Sequence, residues 1–165
     1  MEKFKCSPDL VVIHCTDTFV SMEFDVNWIS KIHQSKGFDT IGYHFLVMPN
    51  GEVRYGRDMN FVGAHCFGEN RRSIGVAYVG GRDIHGHPRD TRTRSQKVAI
   101  ASLLYVLAQE IPSLLLVRGH NDFTRQKSCP NFDAKAAYQG LFDDFLRDFE
   151  AFGRTKILDK PSLKL

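Results

Sequence analysis

The run Leu10-Val11-Val12-Ile13 is apolar at every position before it meets His14 and Cys15, and it constrains the fold more than any other stretch. Side chains alternate across a strand, so an unbroken apolar run buries both faces and requires cover on each side. Such a strand belongs in the interior of a sheet that carries helices. The same alternation sends His14 and Cys15 to opposite faces. His14 is then either a hydrogen-bonded core histidine or a ligand, while Cys15 reads as small core filler.

The remaining pattern alternates strands with helices. After a loop over 16–23, Asp25 caps an amphipathic helix that ends at Lys36 before Gly37. Val26, Ile29, Ile32 and His33 share its apolar side, which makes His33 a hydrogen-bonded core residue rather than a ligand. Ile41 to Met48 reads as a strand, and Pro49-Asn50-Gly51 turns it into Glu52 to Tyr55 as a hairpin. On that strand Tyr43 and Phe45 face one way, Gly42 and His44 the other, so Tyr43 is either core or within reach of His14. Ser73 to Val79 is a further strand, broken by Gly80-Gly81. Thr93 and Gln96 match a capping box for a helix that points Ile100, Leu103, Leu104 and Leu107 inward and that Pro112 stops. Leu114 to Val117 is a brief buried strand. Asp133 caps a last helix reaching about Phe149, with Leu141, Phe142, Phe145, Leu146 and Phe149 as its packing stripe and Gly153 as its stop.

The expected class is α/β, a single domain with a central mixed β-sheet flanked by α-helices. A chain of 165 residues has enough material for one such core. Residues 1–8 read as an N-terminal extension, 9–150 as the working domain and 151–165 as a loosely held tail.

Several classes of partner drop out on charge and hydropathy. No apolar stretch approaches the length of a transmembrane helix, and the first eight residues lack a signal-peptide core. The expected address is therefore cytoplasmic, with no stable membrane association. A formal charge of +3 is too small to demand nucleic acid, although it suits a polyanionic surface such as a bacterial wall. Arg89, Arg92 and Arg94 lie in a segment without aromatic residues, which reads as an exposed loop and not as a nucleic-acid platform. Cys6, Cys15, Cys66 and Cys129 are irregularly spaced, and a reducing compartment gives them no disulfide framework.

Chemistry gathers in Arg118 to Pro130, where His120, Lys127 and Cys129 occupy one turn-rich segment just past a strand end. Imidazole and thiolate are good zinc ligands, and a catalytic zinc takes three protein ligands and leaves a fourth position for water. His14 is the best third ligand, against the alternative of a core histidine and an unrelated buried thiol. A closed structural site would need Cys66 or Asp122 as well, and Asp122 can instead hold a ligating histidine by a hydrogen bond. The long loop 56–72 carries Arg57 and His65, which are candidates for substrate contact.

Six short motifs, taken in order, resemble one family. They are Val12-Ile13-His14-Cys15-Thr16, Ile41-Gly42-Tyr43-His44-Phe45, Gly63-Ala64-His65, Ser73-Ile74-Gly75-Val76, Gly119-His120 and Lys127-Ser128-Cys129-Pro130. In this order they resemble the zinc-dependent N-acetylmuramoyl-L-alanine amidases, the type 2 amidase family that includes the peptidoglycan recognition proteins. The resemblance spans roughly 9 to 150 and is nearest in form to the phage lysozyme-type endolysins. It implies one zinc ion held by His14, His120 and Cys129, with Tyr43 and Lys127 as catalytic residues and His65 and Arg57 in the substrate groove. It further implies hydrolysis of the amide joining N-acetylmuramic acid to L-alanine in peptidoglycan, with the wall reached after release from the cell. Zinc in such a site lowers the pKa of a bound water to about 7. The alternatives are a cytoplasmic amidase recycling soluble muropeptides, a non-catalytic peptidoglycan-binding module, and a role with a regulatory protein partner that the sequence does not identify.

Overall fold

All six residues of the first strand are buried, as a strand apolar on both faces must be. This computed structural model describes residues 1–19 and 25–151. In chain order the elements are β1 (Leu10–Cys15), β2 (Thr18–Phe19), α1 (Val26–Ser35), β3 (Phe45–Val47), β4 (Val53–Tyr55), β5 (Ser73–Tyr78), β6 (Gly81–Arg82), α2 (Arg94–Glu110), β7 (Leu116–Gly119) and α3 (Ala134–Ala151). The main sheet has the order β4-β3-β5-β1-β7, with only the β3–β4 hairpin antiparallel. This is the mixed α/β sheet expected.

Alternation along β1 divides the core. Val11, Ile13 and Cys15 join Val76, Tyr78 and Val117 under Ile100, Leu104 and Leu107 of α2 and Tyr138 and Phe142 of α3. On the other face Leu10 and Val12 meet Cys66, while Ile29 of α1 covers Leu46, Ala77 and Val79. Each helix begins where its cap was read. Asp25 Oδ1 accepts the Trp28 N–H at 2.6 Å, and Asp133 Oδ1 accepts that of Ala136 at 2.8 Å. Thr93 and Gln96 form the reciprocal box at 3.0 Å each way. Gly37 leaves α1 with φ of 87°, a backbone that disfavours a β-carbon. No helix among the described residues is long and apolar enough to cross a membrane.

Three expectations need correction. The strand expected over Ile41 to Met48 shortens to β3, because Gly42 spends its N–H on His33 Nδ1 (2.9 Å) and its carbonyl on Ala64 (3.1 Å) instead of a sheet neighbour. Tyr43 and Phe45 therefore part: Phe45 packs in the core under α2 and α3, and Tyr43 packs on the α1 side. The loop expected from Thr16 contains β2, paired parallel with β6, so Gly81 opens a short strand. Arg92 is also not an exposed loop cation. Its side chain is 7% exposed, ion-paired with Asp90, and its guanidinium lies 3.1 Å from the centre of the Phe132 ring.

At the N-terminus, Lys3 bridges to Phe61 and the Glu2 carbonyl accepts the Val62 N–H at 2.8 Å. Gly153 as a helix stop, the Phe149 side chain, the tail and positions 20–24 lie outside the described residues.

Candidate metal centre

Register brings the two histidines together. Ile13 pairs with Gly119 across the parallel β1–β7 ladder, so the residues that follow them, His14 near the end of β1 and His120 just past β7, come side by side at the carboxyl end of the sheet. Their ring centres are 4.6 Å apart. Carboxyl ends of parallel strands are where open α/β sheets place their sites. Cys129 returns to this edge from the following loop. The Cys15 backbone N–H donates to Cys129 Sγ at 3.2 Å, and the Cys129 carbonyl accepts the Asn121 N–H at 2.7 Å. The same loop is pinned where the Tyr78 hydroxyl donates to the Pro130 carbonyl at 2.8 Å.

One donor atom from each of His14, His120 and Cys129 lies within 4.8 Å of the others, and Cys129 Sγ is 3.8 Å from His14 Nδ1. Tetrahedral zinc with bonds of about 2.0–2.3 Å sets its ligand atoms roughly 3.3–3.7 Å apart, so small side-chain movements suffice to share an ion. Among the described residues no fourth His, Cys, Asp or Glu joins this group. Cys66 packs with Leu10 and Val12, and Asp122 Oδ2 accepts the Gly119 N–H at 2.8 Å. Neither acts as the additional ligand considered for a closed site, and Asp122 braces the turn that carries His120.

The charge states suit a cation. Burial, then His65, His120 and Lys127, hold His14 well below the ordinary imidazole range. Burial and the Lys127 ammonium push His120 down to about 4. Both rings are therefore neutral near pH 7 and have lone pairs to offer. The adjacent Cys15 thiol and burial push the Cys129 thiol up, so without a cation it keeps its proton. A divalent ion reverses that preference, and its binding releases the proton.

Tyr43 lies against the site, its ring centre 5.1 Å from that of His14 and 5.2 Å from that of His33. Burial, with Cys129 second, raises its phenol well above the ordinary value, so it remains an O–H donor. Lys127 is exposed, yet close enough for its charge to depress both histidines. His33 is the hydrogen-bonded residue anticipated, and it fixes the Gly42–Tyr43 backbone through its bond to Gly42.

The two groove candidates differ in their surroundings. Arg57 is buried, with Nε donating to the Ile41 carbonyl at 3.0 Å and Nη1 to that of Val62 at 3.1 Å. Its guanidinium ties the segment before Tyr43 to the loop. His65 is half-buried, with Nδ1 3.1 Å from His14 Nε2. Asn70, not singled out from the sequence, takes the backbone N–H groups of His65 (2.9 Å) and Cys66 (2.8 Å) on its side-chain oxygen. Its only sequence signal is an Asn close behind Gly68, the habit of turn-forming residues.

A sheet edge with two neutral imidazoles, a thiol, a phenol and an ammonium is equipped for metal-assisted hydrolysis. Residues 5–132 match the N-acetylmuramoyl-L-alanine amidase family, and the chain belongs to it. It is accordingly a hydrolase with that amidase activity, cleaving the amide between N-acetylmuramic acid and L-alanine. Among its relatives is the endolysin of Klebsiella phage KP32, 37% identical over 125 residues, which cover 76% of this chain and 82% of the relative. Of solved structures, the amidase LysC from Clostridium intestinale URNW superposes with a TM-score of 0.67 at 25% identity, covering 87% of this chain and 85% of that one. The Ph2119 endolysin of a Thermus scotoductus bacteriophage does so with a TM-score of 0.65 at 25% identity, covering 88% of each chain.

Proposed function

We propose that His14, His120 and Cys129 hold one zinc ion and that Tyr43 and Lys127 act beside it, in a phage-type endolysin that degrades peptidoglycan. The observation that carries this reading is the meeting of the three donor atoms within 4.8 Å at the carboxyl edge of the sheet. The donor set fits zinc, which prefers nitrogen and sulfur and in catalytic sites leaves a coordination position open. When bound, zinc supplies Lewis acidity and lowers the pKa of water. The chain's own groups do the rest. Lys127 places a positive charge where the scissile carbonyl oxygen becomes negative, and Tyr43 offers an O–H to the same region. Cys129, once deprotonated, lowers the net charge of the centre, and the Cys15 N–H that it accepts steadies the thiolate.

Residues 9–150 are the catalytic unit in this reading. The endolysin relatives support lysis as the role, with the protein held in the cytoplasm until it is released onto the wall. Recognition of muropeptides by this fold has support from a peptidoglycan recognition protein complex with tracheal cytotoxin, whose matched chain is 29% identical with a TM-score of 0.66. The test is digestion of purified peptidoglycan with and without a zinc chelator. New L-alanine amino termini that chelator abolishes and zinc restores are expected. New reducing sugar ends would mean a glycosidase, and cleavage confined to soluble fragments would mean recycling.

A further inference from the structure

A neutral imidazole carries one ring proton, and which nitrogen holds it decides whether the ring can be a ligand. In His14, Nδ1 is the nitrogen on the Cys129 side, 3.8 Å from Sγ, and Nε2 lies 3.1 Å from His65 Nδ1. For Nδ1 to offer its lone pair toward His120 and Cys129, the proton must sit on Nε2. It then points at His65 Nδ1, which must accept it. We propose that His65 is a positioning residue that sets the tautomer and angle of His14 through this bond, and that it does not chiefly contact substrate. The inference rests on the zinc reading above.

The surroundings of His65 are built for that task. Its ring sits in a slot left by two glycines. A β-carbon on Gly75 would come within 2.6 Å of His65 Cδ2, and one on Gly63 within 2.7 Å of Nε2. Real β-carbons do not tolerate such contacts, so the ring has this slot only because both positions are glycine. Its backbone N–H and that of Cys66 both donate to Asn70 Oδ1, which fixes this turn of the loop. The neighbouring His44 does not compete with His14 for His65 Nδ1. Its Nδ1 accepts the Gly75 N–H at 2.9 Å, and its Nε2 donates to the Phe61 carbonyl at 3.0 Å. His65 Nε2 is buried and faces the Ser73 backbone carbonyl, which suits a proton on Nε2 and leaves Nδ1 free to accept from His14. A ring held this way, with Nδ1 turned to His14, is committed to its neighbour. Hydrogen-bond partners of this kind commonly contribute tenfold to a hundredfold to metal affinity.

The experiment compares two variants of similar shape. In His65→Asn the side-chain oxygen replaces Nδ1 as acceptor, whereas in His65→Gln the amide end lies where Nε2 was and nothing accepts from His14. Zinc affinity is measured by competition with a chromophoric chelator, with thermal melts of the metal-free proteins as the check on folding. His65→Gln is expected to bind zinc about 10–100-fold more weakly than the parent, and His65→Asn within a few-fold of it. Zinc-loaded His65→Gln should keep the parent KM for a soluble muropeptide. Should His65→Gln not fold, His65→Leu serves as the variant without an acceptor. Equal zinc affinity in all variants overturns the proposal, as does equal weakening in Asn and Gln. A raised KM with unchanged zinc affinity overturns it in favour of substrate contact. If the parent protein itself binds no zinc, the reading of the metal centre fails and this inference with it, a result distinct from a parent that binds zinc and variants that match it.

Discussion

Cys129 carries more of the site than any other side chain, because it is the only sulfur donor in the trio. Cys129→Ser is expected to lose tightly held zinc and wall-degrading activity while far-UV circular dichroism stays native. Full activity in that variant would rule out a thiolate ligand. Lys127 is exposed, so Lys127→Ala should alter stability by less than about 0.5 kcal/mol. The rate should nevertheless fall on the order of a hundredfold, with zinc still bound. An unchanged kcat would remove Lys127 from the catalytic machinery. His44 yields a pH prediction. Burial depresses this ring from 6.5 to about 4. The unfolded chain then binds a proton that the folded chain refuses between those values, so stability is full above about pH 6.5 and falls as pH drops toward 4. For His44 the loss amounts to roughly 3 kcal/mol, and His14, His65 and His120, also depressed, add to it with the same sign. Urea midpoints measured from pH 7 to pH 4 test this, and a flat profile contradicts it.

Elements read best where local chemistry alone decides them. Asp25, Thr93 and Asp133 cap the three helices because a side-chain oxygen can satisfy a free N–H three residues on, whatever the rest of the chain does. Thr93→Ala should cost about 1 kcal/mol in a denaturant titration and leave zinc affinity unchanged, since Thr93 and Gln96 bond each other and the Pro49, Val47 and Val79 carbonyls and none of the three ligand residues. A loss of zinc binding there would show that α2 positions the site directly. Elements read worst where a distant side chain takes a backbone group out of the ladder. Nothing near Gly42 in sequence says that His33 Nδ1 will claim its N–H, and this bond, together with that of the Gly42 carbonyl to Ala64, draws Gly42 out of the strand expected over Ile41 to Met48. Arg92 is misread for want of another long-range contact: its burial depends on Phe132 and Tyr138, some forty residues away along the chain. The length of its loop makes Arg57 a groove candidate, and nothing near it in sequence says that its guanidinium takes the Ile41 and Val62 carbonyls.

At the scale of the molecule, parallel pairing of β1 with β5 and β7 is what turns distant residues into one site. The apolar run from Leu10 announced the central strand, and the segment after Gly119 announced a histidine at a strand end. Their meeting follows from the β1–β7 register, which no spacing encodes and which only the resemblance to a known family supplied beforehand. The bond from His65 to His14 was not visible at all, because it joins a loop to a strand through two side chains with no periodic relation. Everything then turns on whether His14, His120 and Cys129 share an ion. Zinc-edge X-ray absorption on the purified protein, with metal content measured on the same sample, addresses this directly. One zinc per chain with a single sulfur and the remaining neighbours nitrogen or oxygen is predicted, and the sulfur shell should vanish in Cys129→Ser. A zinc shell without sulfur in the parent protein, or no bound zinc, would contradict it.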